Sequence, residues 1–388
     1  MHILIAPNAF KNSLSASEAA EAIKRGLLQS SLKCSSESFP VGDGGDGTAA
    51  LLIEKYGGRK IAVEVNDPLG RKIAAEFGLT DDGRAVIEMA NASGLRLLRP
   101  EEYDPLHGSS FGTGELIRRT LDLNVSEIIL AIGGSATVDG AAGILRALGV
   151  RFLDSSGKDL TNLPEALVDL DYINLSGLDC RISQCILTVL CDVDNTLLGN
   201  QGAARVFGAQ KGATPEAISK LEAALAKLRD VFLGQTGKDI SSIKRGGAAG
   251  GVAASLHGFL NANLVSGIEY FLDATDFDTA LSKADLVITG EGSIDDQTLR
   301  GKGPFVVAAR AKAKNTPVIG MAGAVPLQPD PLLQQYFDLL LPIGAVPVDL
   351  EIALRQTEPD LERAAFELGN MLALEHQDSA MNRSSSNC

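Results

Sequence analysis

Short apolar runs alternate along the chain with longer segments in which alanine and leucine recur at helical spacing. "HILIAP" stands before "SASEAAEAIKRGLL", "DLVITGEG" stands before "GPFVVAARAKA", and "PVIGMAGAV" comes soon after. Runs too short for a helix, punctuated by glycine and followed by alanine-rich segments, predict a parallel sheet with crossover helices. Ser15 and Glu18 stand at capping-box spacing and mark the start of the first helix. The texture changes between residue 61 and about residue 90, where "KIAVEV", "KIAAEFGL" and "RAVIEMA" follow one another with only turn residues between them. That stretch predicts a meander. The strand-helix alternation of the first 60 residues resumes near Asp285. The expected class is therefore α/β with two domains. One is discontinuous, from residues 1–60 plus 285–376, and the other is inserted over 61–284 with a mixed sheet. Residues 377–388 are polar and aperiodic and are expected to lack structure.

Composition narrows the function classes. A chain of 388 residues is longer than a single core usually supports, in keeping with two domains. Lys and Arg number 35 against 49 Asp and Glu, a formal charge of −14. No basic run offsets it, so neither nucleic acid nor an anionic membrane is an expected partner. The five cysteines form no C-x-x-C pair, which argues against a disulfide framework and structural zinc and fits a reducing compartment. The apolar part of "MHILIAPNAF" is too short for a secretory signal, and no later run reaches the length of a membrane span. The expectation is a soluble cytoplasmic protein; its oligomeric state is not set by the sequence.

Candidate chemistry begins with "FPVGDGGDGTAALL", in which Gly42, Gly44 and Gly47 fit the spacing of a dinucleotide-binding turn. Asp43 and Asp46 sit among these glycines, and two carboxylates would repel a pyrophosphate unless a metal intervened. Two further glycine-rich loops, "AIGGSATVDGAAGILRAL" and "RGGAAGGVAASLHGFL", also run into apolar helices. Backbone N–H groups at such helix starts suit phosphate or carboxylate oxygens. Carboxylates cluster at Asp43 and Asp46, at Asp192 and Asp194, and at Glu291, Asp295 and Asp296. Aspartates just after an apolar strand lie where open α/β sheets bind ligands. Helix-start amides with carboxylates able to support Mg²⁺ describe phosphoryl transfer. A Walker loop is excluded, because Lys158, Lys238 and Lys302 each follow glycine but precede Asp, Asp and Gly. "LTVLCDVDNTLL" resembles the first motif of the haloacid dehalogenase-like phosphatases, an alternative reading in which Asp192 is a nucleophile.

Read in order, eight segments resemble the class I bacterial glycerate kinase family: "IAPNAFKNSLSA", "GDGGDGT", "NDPLGR", "GTGELI", "GGSATVDGAAGILRALG", "CDVDNTLLGNQGAARVFGAQKGA", "GGAAGGVAASL" and "GEGSIDDQTLRGKGPFVVAAR". The resemblance implies two α/β domains around a cleft, one of them Rossmann-like or flavodoxin-like and made from both chain ends. It implies ATP-dependent, Mg²⁺-assisted phosphorylation of D-glycerate, mostly to 2-phosphoglycerate. It also accounts for the phosphatase-like motif, since the family usually has proline at the position of Thr196. Asn8, Asn12, Asp46 and Val138 depart from residues frequent in the family.

Glycerate is a carboxylate with two hydroxyls, so its site needs cations, N–H donors and a proton acceptor. Asp192 is the expected base and Asp194 the metal-linked carboxylate, with the exchanged assignment equally open to the sequence. Lys11 and Asp295 are expected catalytic partners. Asp43, Gly44, Gly45, Asp46, Arg71, Ser135, Thr137, Glu291 and Lys302 are assigned to substrate binding, with Lys211 a further cation and Asp139 a cation holder or helix cap. His107, in a Gly/Ser-rich loop, is read as structural.

Overall fold

The strand His2–Ile5 is buried over its last three residues and is an inner strand of a five-stranded parallel sheet. Ser35–Ser38 pairs on one side and Leu286–Ser293 on the other, followed by Val318–Ala324 and Leu339–Pro342. Numbered within this sheet alone, the order is 2-1-3-4-5, the flavodoxin-like arrangement. Its order reverses between the first and third strands, where His2–Ile5 lies beside Leu286–Ser293. Ile3, Ile5, Ile288 and Met321 project into a core shared with Ile23 and Leu27 of the helix Ala16–Gln29. That helix starts as its sequence predicts, with the Ser15 hydroxyl accepting from Glu18 N and the Glu18 carboxylate accepting from Ser15 N.

The computed structural model describes residues 1–385 except 297 and 329, with the backbone alone at 300 and 375–385. The chain divides into two compact units, Met1–Asp43 with Phe271–Cys388, and Gly44–Tyr270. Helix Thr48–Tyr56 belongs to the second unit, although strand-helix alternation grouped it with the first. Its Ile53 side chain occupies the space that a Cβ at Gly78 would need. At the other junction, Phe277 packs edge-on against Phe39 and joins its segment to the terminal unit. Helix Leu350–Ser385 continues through most of the tail expected to lack structure. Extending an established helix costs less than starting one, and Gln377, Ala380, Met381 and Arg383 are good helix formers. Residues 386–388 lie outside the described residues. No described helix is long and apolar enough to cross a membrane.

The second unit holds a six-stranded mixed sheet. Across it lie Asn263–Ser266, Ile186–Cys191, Glu127–Ala131, Arg84–Glu88, Lys72–Thr80 and Gly58–Asn66. The first four are mutually parallel, and the last three form the antiparallel meander expected from the texture change. Ile87, Leu130 and Val189 anchor its core with Leu116 and Val252. A second core joins helices Ala142–Ala147 and Pro215–Thr236 to a two-stranded sheet, through Leu145, Phe152, Leu221 and Phe232.

Gly290 precedes the buried Glu291 in the strand Leu286–Ser293, and a Cβ on it would stand 2.0 Å from the carbonyl oxygen of Met321. Gly290→Ala is therefore expected to cost about 1–3 kcal/mol by overpacking. Urea unfolding checks this; an unchanged midpoint would show that the sheet relaxes freely there.

Candidate active site

The carboxyl ends of the terminal unit's strands gather a set of polar side chains. Asn8 is buried; its Nδ2 donates to Asp43 Oδ2 at 2.8 Å, and its Oδ1 accepts from Ala9 N at 2.8 Å. Glu291 is also buried, and Thr298 donates to its Oε1 at 3.4 Å. Burial pushes the Glu291 carboxyl up to about 7; the Lys302 charge pulls it back, the Asp43 charge adds to the rise, and Lys11 opposes it. Two ammonium groups thus act on one desolvated carboxylate at the point where the strand order reverses. Asp295 is tied into the following turn, donating its N–H to Thr298 Oγ1 at 3.1 Å and accepting from Ser293 Oγ at 3.3 Å. Asp296 is exposed, and Lys302 occupies the N-cap position of helix Gly303–Ala313.

In the second unit the loop Gly44–Gly47 lies on the carboxyl edge of the sheet. Gly133 N donates to Gly44 O at 3.0 Å, and a Cβ on Gly133 would stand 2.7 Å from Gly45 Cα. Only glycine permits this backbone approach. The amides at the start of helix Thr48–Tyr56 already have an anion: Glu88, at the end of its strand, accepts from Ala49 N at 2.8 Å. Burial pushes the Glu88 carboxyl up, while the Ala49 hydrogen bond lowers it. Asp46 is exposed and pairs loosely with Arg96 at 3.9 Å.

The loop "GGSATVDG" is likewise filled from within. Asp139, fully buried, accepts from Ser110 N and Oγ at 2.9 and 2.7 Å, from Gly143 N at 3.0 Å and from Ala141 N at 3.2 Å. It therefore caps the helix start. Beside it, the Lys211 amine donates to Ser135 Oγ and to the Thr137 carbonyl, both at 2.8 Å. Burial brings the Lys211 ammonium down to about 7, against the charges of Asp139 and Asp192. In the third loop Ala249, Gly250 and Gly251 are successive left-handed residues, and Gly250 O accepts from Gly140 N at 3.0 Å.

Two expected residues are engaged elsewhere, and a third is exposed. Arg71 pairs with Asp67 at 2.5 Å and Glu102 at 2.7 Å, bracing the turn between strands Gly58–Asn66 and Lys72–Thr80. Asp194 pairs with Lys244 at 3.3 Å and Arg245 at 3.4 Å, so its charge is already met by two cations. Asp192 is exposed at the end of strand Ile186–Cys191. His107 bridges Asp104 at 2.6 Å and Glu165 at 3.4 Å, a surface ion pair that raises its pKa, as a structural role requires. Glu88 and Ser110 were not singled out from sequence, because nothing local marks them: they reach loops 39 and 29 residues away.

Parallel strands whose carboxyl ends carry lysines and desolvated carboxylates, in a flavodoxin-like unit and a mixed-sheet unit, define an α/β enzyme built for small anionic molecules. The chain belongs to the glycerate kinase family, whose model matches residues 3–373, and it is accordingly a kinase. It is 45% identical to the glycerate kinase of Bacillus subtilis (strain 168) over 96% of this chain and 98% of that one. It is 40% identical to the glycerate 2-kinase of Escherichia coli (strain K12), covering 96% and 98% of the two chains. A crystal structure bearing the name of a glycerate kinase 2 from Salmonella typhimurium LT2 matches with a TM-score of 0.81 at 43% identity, covering 97% of this chain and 99% of that one. The family match includes Asp192 and Asp194, so the likeness to dehalogenase-type phosphatases is local.

Asp139→Asn would turn an amide nitrogen toward donors that need an acceptor. A loss of about 2–4 kcal/mol is expected. Thermal melting by circular dichroism checks this, and a melting temperature equal to wild type would refute the capping role.

Proposed function

We propose that this protein transfers the γ-phosphoryl group of ATP to D-glycerate, giving 2-phosphoglycerate, with Mg²⁺ accompanying the nucleotide. The observation that carries the reading is the buried Glu291 under the charges of Lys11 and Lys302, in a chain of the glycerate kinase family. Proton acceptance from a hydroxyl works best when the base titrates near working pH, and burial brings the Glu291 carboxyl to about 7. The base role expected of the exposed Asp192 therefore passes to Glu291. Lys11 and Lys302 bind oxyanions and follow charge as it moves from donor to acceptor. Ser135, Thr137 and the loop Gly44, Gly45 and Asp46 bind substrate on the second unit. The 2-phosphoglycerate product is supported by the name of the Escherichia coli relative, a glycerate 2-kinase.

No group of three or more His, Cys, Asp or Glu side chains among the described residues is placed to hold a metal ion. Mg²⁺ itself keeps several waters and takes most remaining ligands from phosphate. Asp43 and Asp295 are the carboxylates that would hold it in the terminal unit, while Asp194 is paired with its own cations. When bound, the ion would offset negative charge on the phosphates.

ADP release on mixing ATP, Mg²⁺ and D-glycerate, with phosphorus NMR of the product, tests the reaction; no ADP above the no-acceptor control overturns it. Glu291→Gln should lower kcat by about a hundredfold to ten-thousandfold. It should also abolish the acid limb expected of wild type near pH 7. Folding raises this pKa, so the carboxyl's contribution to stability is present below its unfolded pKa and is lost as pH rises through about 7. Gln is always neutral, so the variant should melt no lower than wild type at alkaline pH. A variant that melts lower but turns over normally would assign Glu291 to structure alone.

A further inference from the structure

Two of the glycine-rich loops resemble phosphate cradles, yet their helix-start amides are committed to Glu88 and Asp139. An anion bound at these loops must draw compensating charge from elsewhere. Lys211 lies at the second of them, only 3% exposed, with two of its protons on Ser135 Oγ and the Thr137 carbonyl. Both partners are neutral acceptors, and Lys211 makes no ion pair among the described residues. Two hydrogen bonds satisfy a neutral amine and leave its lone pair for a further proton. The Thr137 hydroxyl, also fully buried, has no hydrogen-bond partner. A buried hydroxyl left unsatisfied in an otherwise paired loop marks a place where a partner is missing. Gly134 and Asp192 are exposed, so solvent and ligand reach the loop while the amine stays covered.

We propose that Lys211 is the charge-compensating residue for an oxyanion bound at the Gly133–Thr137 loop, and that binding there transfers a proton from solvent to its Nζ. The inference rests on the kinase reading above and assigns a role in binding to the second unit. Lys211 is a positioning residue; it acts through Ser135 and Thr137. The charged groups facing it are Asp139, from the loop before helix Ala142–Ala147, and Asp192, from the end of strand Ile186–Cys191. Asp139 spends its hydrogen-bonding capacity on four other donors, so its charge offsets only part of the burial of the amine. Burial holds the amine near its midpoint, so an added negative charge tips it to the ammonium form. The oxyanion is the carboxylate of the acceptor or a phosphate of the nucleotide.

Titration calorimetry of the full chain with D-glycerate alone and with ATP alone, in buffers of different ionisation enthalpy, separates these sources. Wild type should take up a proton with one ligand at about pH 8, and much less at about pH 6, where the amine is already charged. Lys211→Met should lose the buffer dependence for that ligand, and its Kd should rise by about tenfold or more. Its melting temperature should match or exceed wild type, because an apolar side chain of similar volume replaces a buried polar one. Binding without proton uptake, or uptake undiminished in Lys211→Met, overturns this inference and leaves the kinase reading intact. Failure of both ligands to bind, together with no ADP formation, overturns both.

Discussion

Charge taken out of water governs this protein. A buried ionisable group must be given donors, be given a counter-ion, or change its protonation state. Asp139 is given four donors. Glu291 has the charges of two lysines near it and still titrates close to neutrality, because desolvation outweighs them. Lys211 has only neutral acceptors, and its ammonium is destabilised accordingly. Groups that fulfil structural duty are saturated, whereas those poised near neutrality are incompletely compensated. That difference separates scaffold from chemistry more sharply than residue type does.

The same distinction decides what the glycine-rich loops are for. A helix start with free amides is an anion site, but one with a carboxylate of its own is a fixed joint. Glu88 and Asp139 make joints of two loops, and the glycines serve close backbone approach, as where Gly133 lies against Gly45. Any ligand at these loops must be bound by side chains and by the charge beneath them.

Much of the architecture was legible in the sequence because its signals are local. The Ser15 capping box, the meander from residue 58 to residue 88 and the return of strand-helix alternation near Asp285 each depend on neighbours in sequence. Helix Thr48–Tyr56 was grouped with the wrong sheet because an apolar stripe shows that a helix is covered but not by what; the answer lies at Gly78. Site residues divided in the same way. Glu291, Lys302, Ser135 and Thr137 stand out in the sequence because they adjoin glycine-rich turns. Asp194 and Arg71 looked available, but their partners are fixed by folding: Lys244 and Arg245 lie about fifty residues from Asp194, and Glu102 lies 31 from Arg71. Burial, which makes Glu291 and Lys211 unusual, has no signature in spacing.

The pairing of Ile3 with Leu286 bears on how the chain is made. During synthesis the first strand leaves the ribosome long before the partner that completes its sheet. It must wait, half-paired and apolar, while the intervening polypeptide is translated. Gly44–Tyr270 contains all the strands of its own sheet and can assemble in that interval. The N-terminal strand is thus exposed to chaperones and to aggregation at birth, although it ends enclosed between two strands of its sheet.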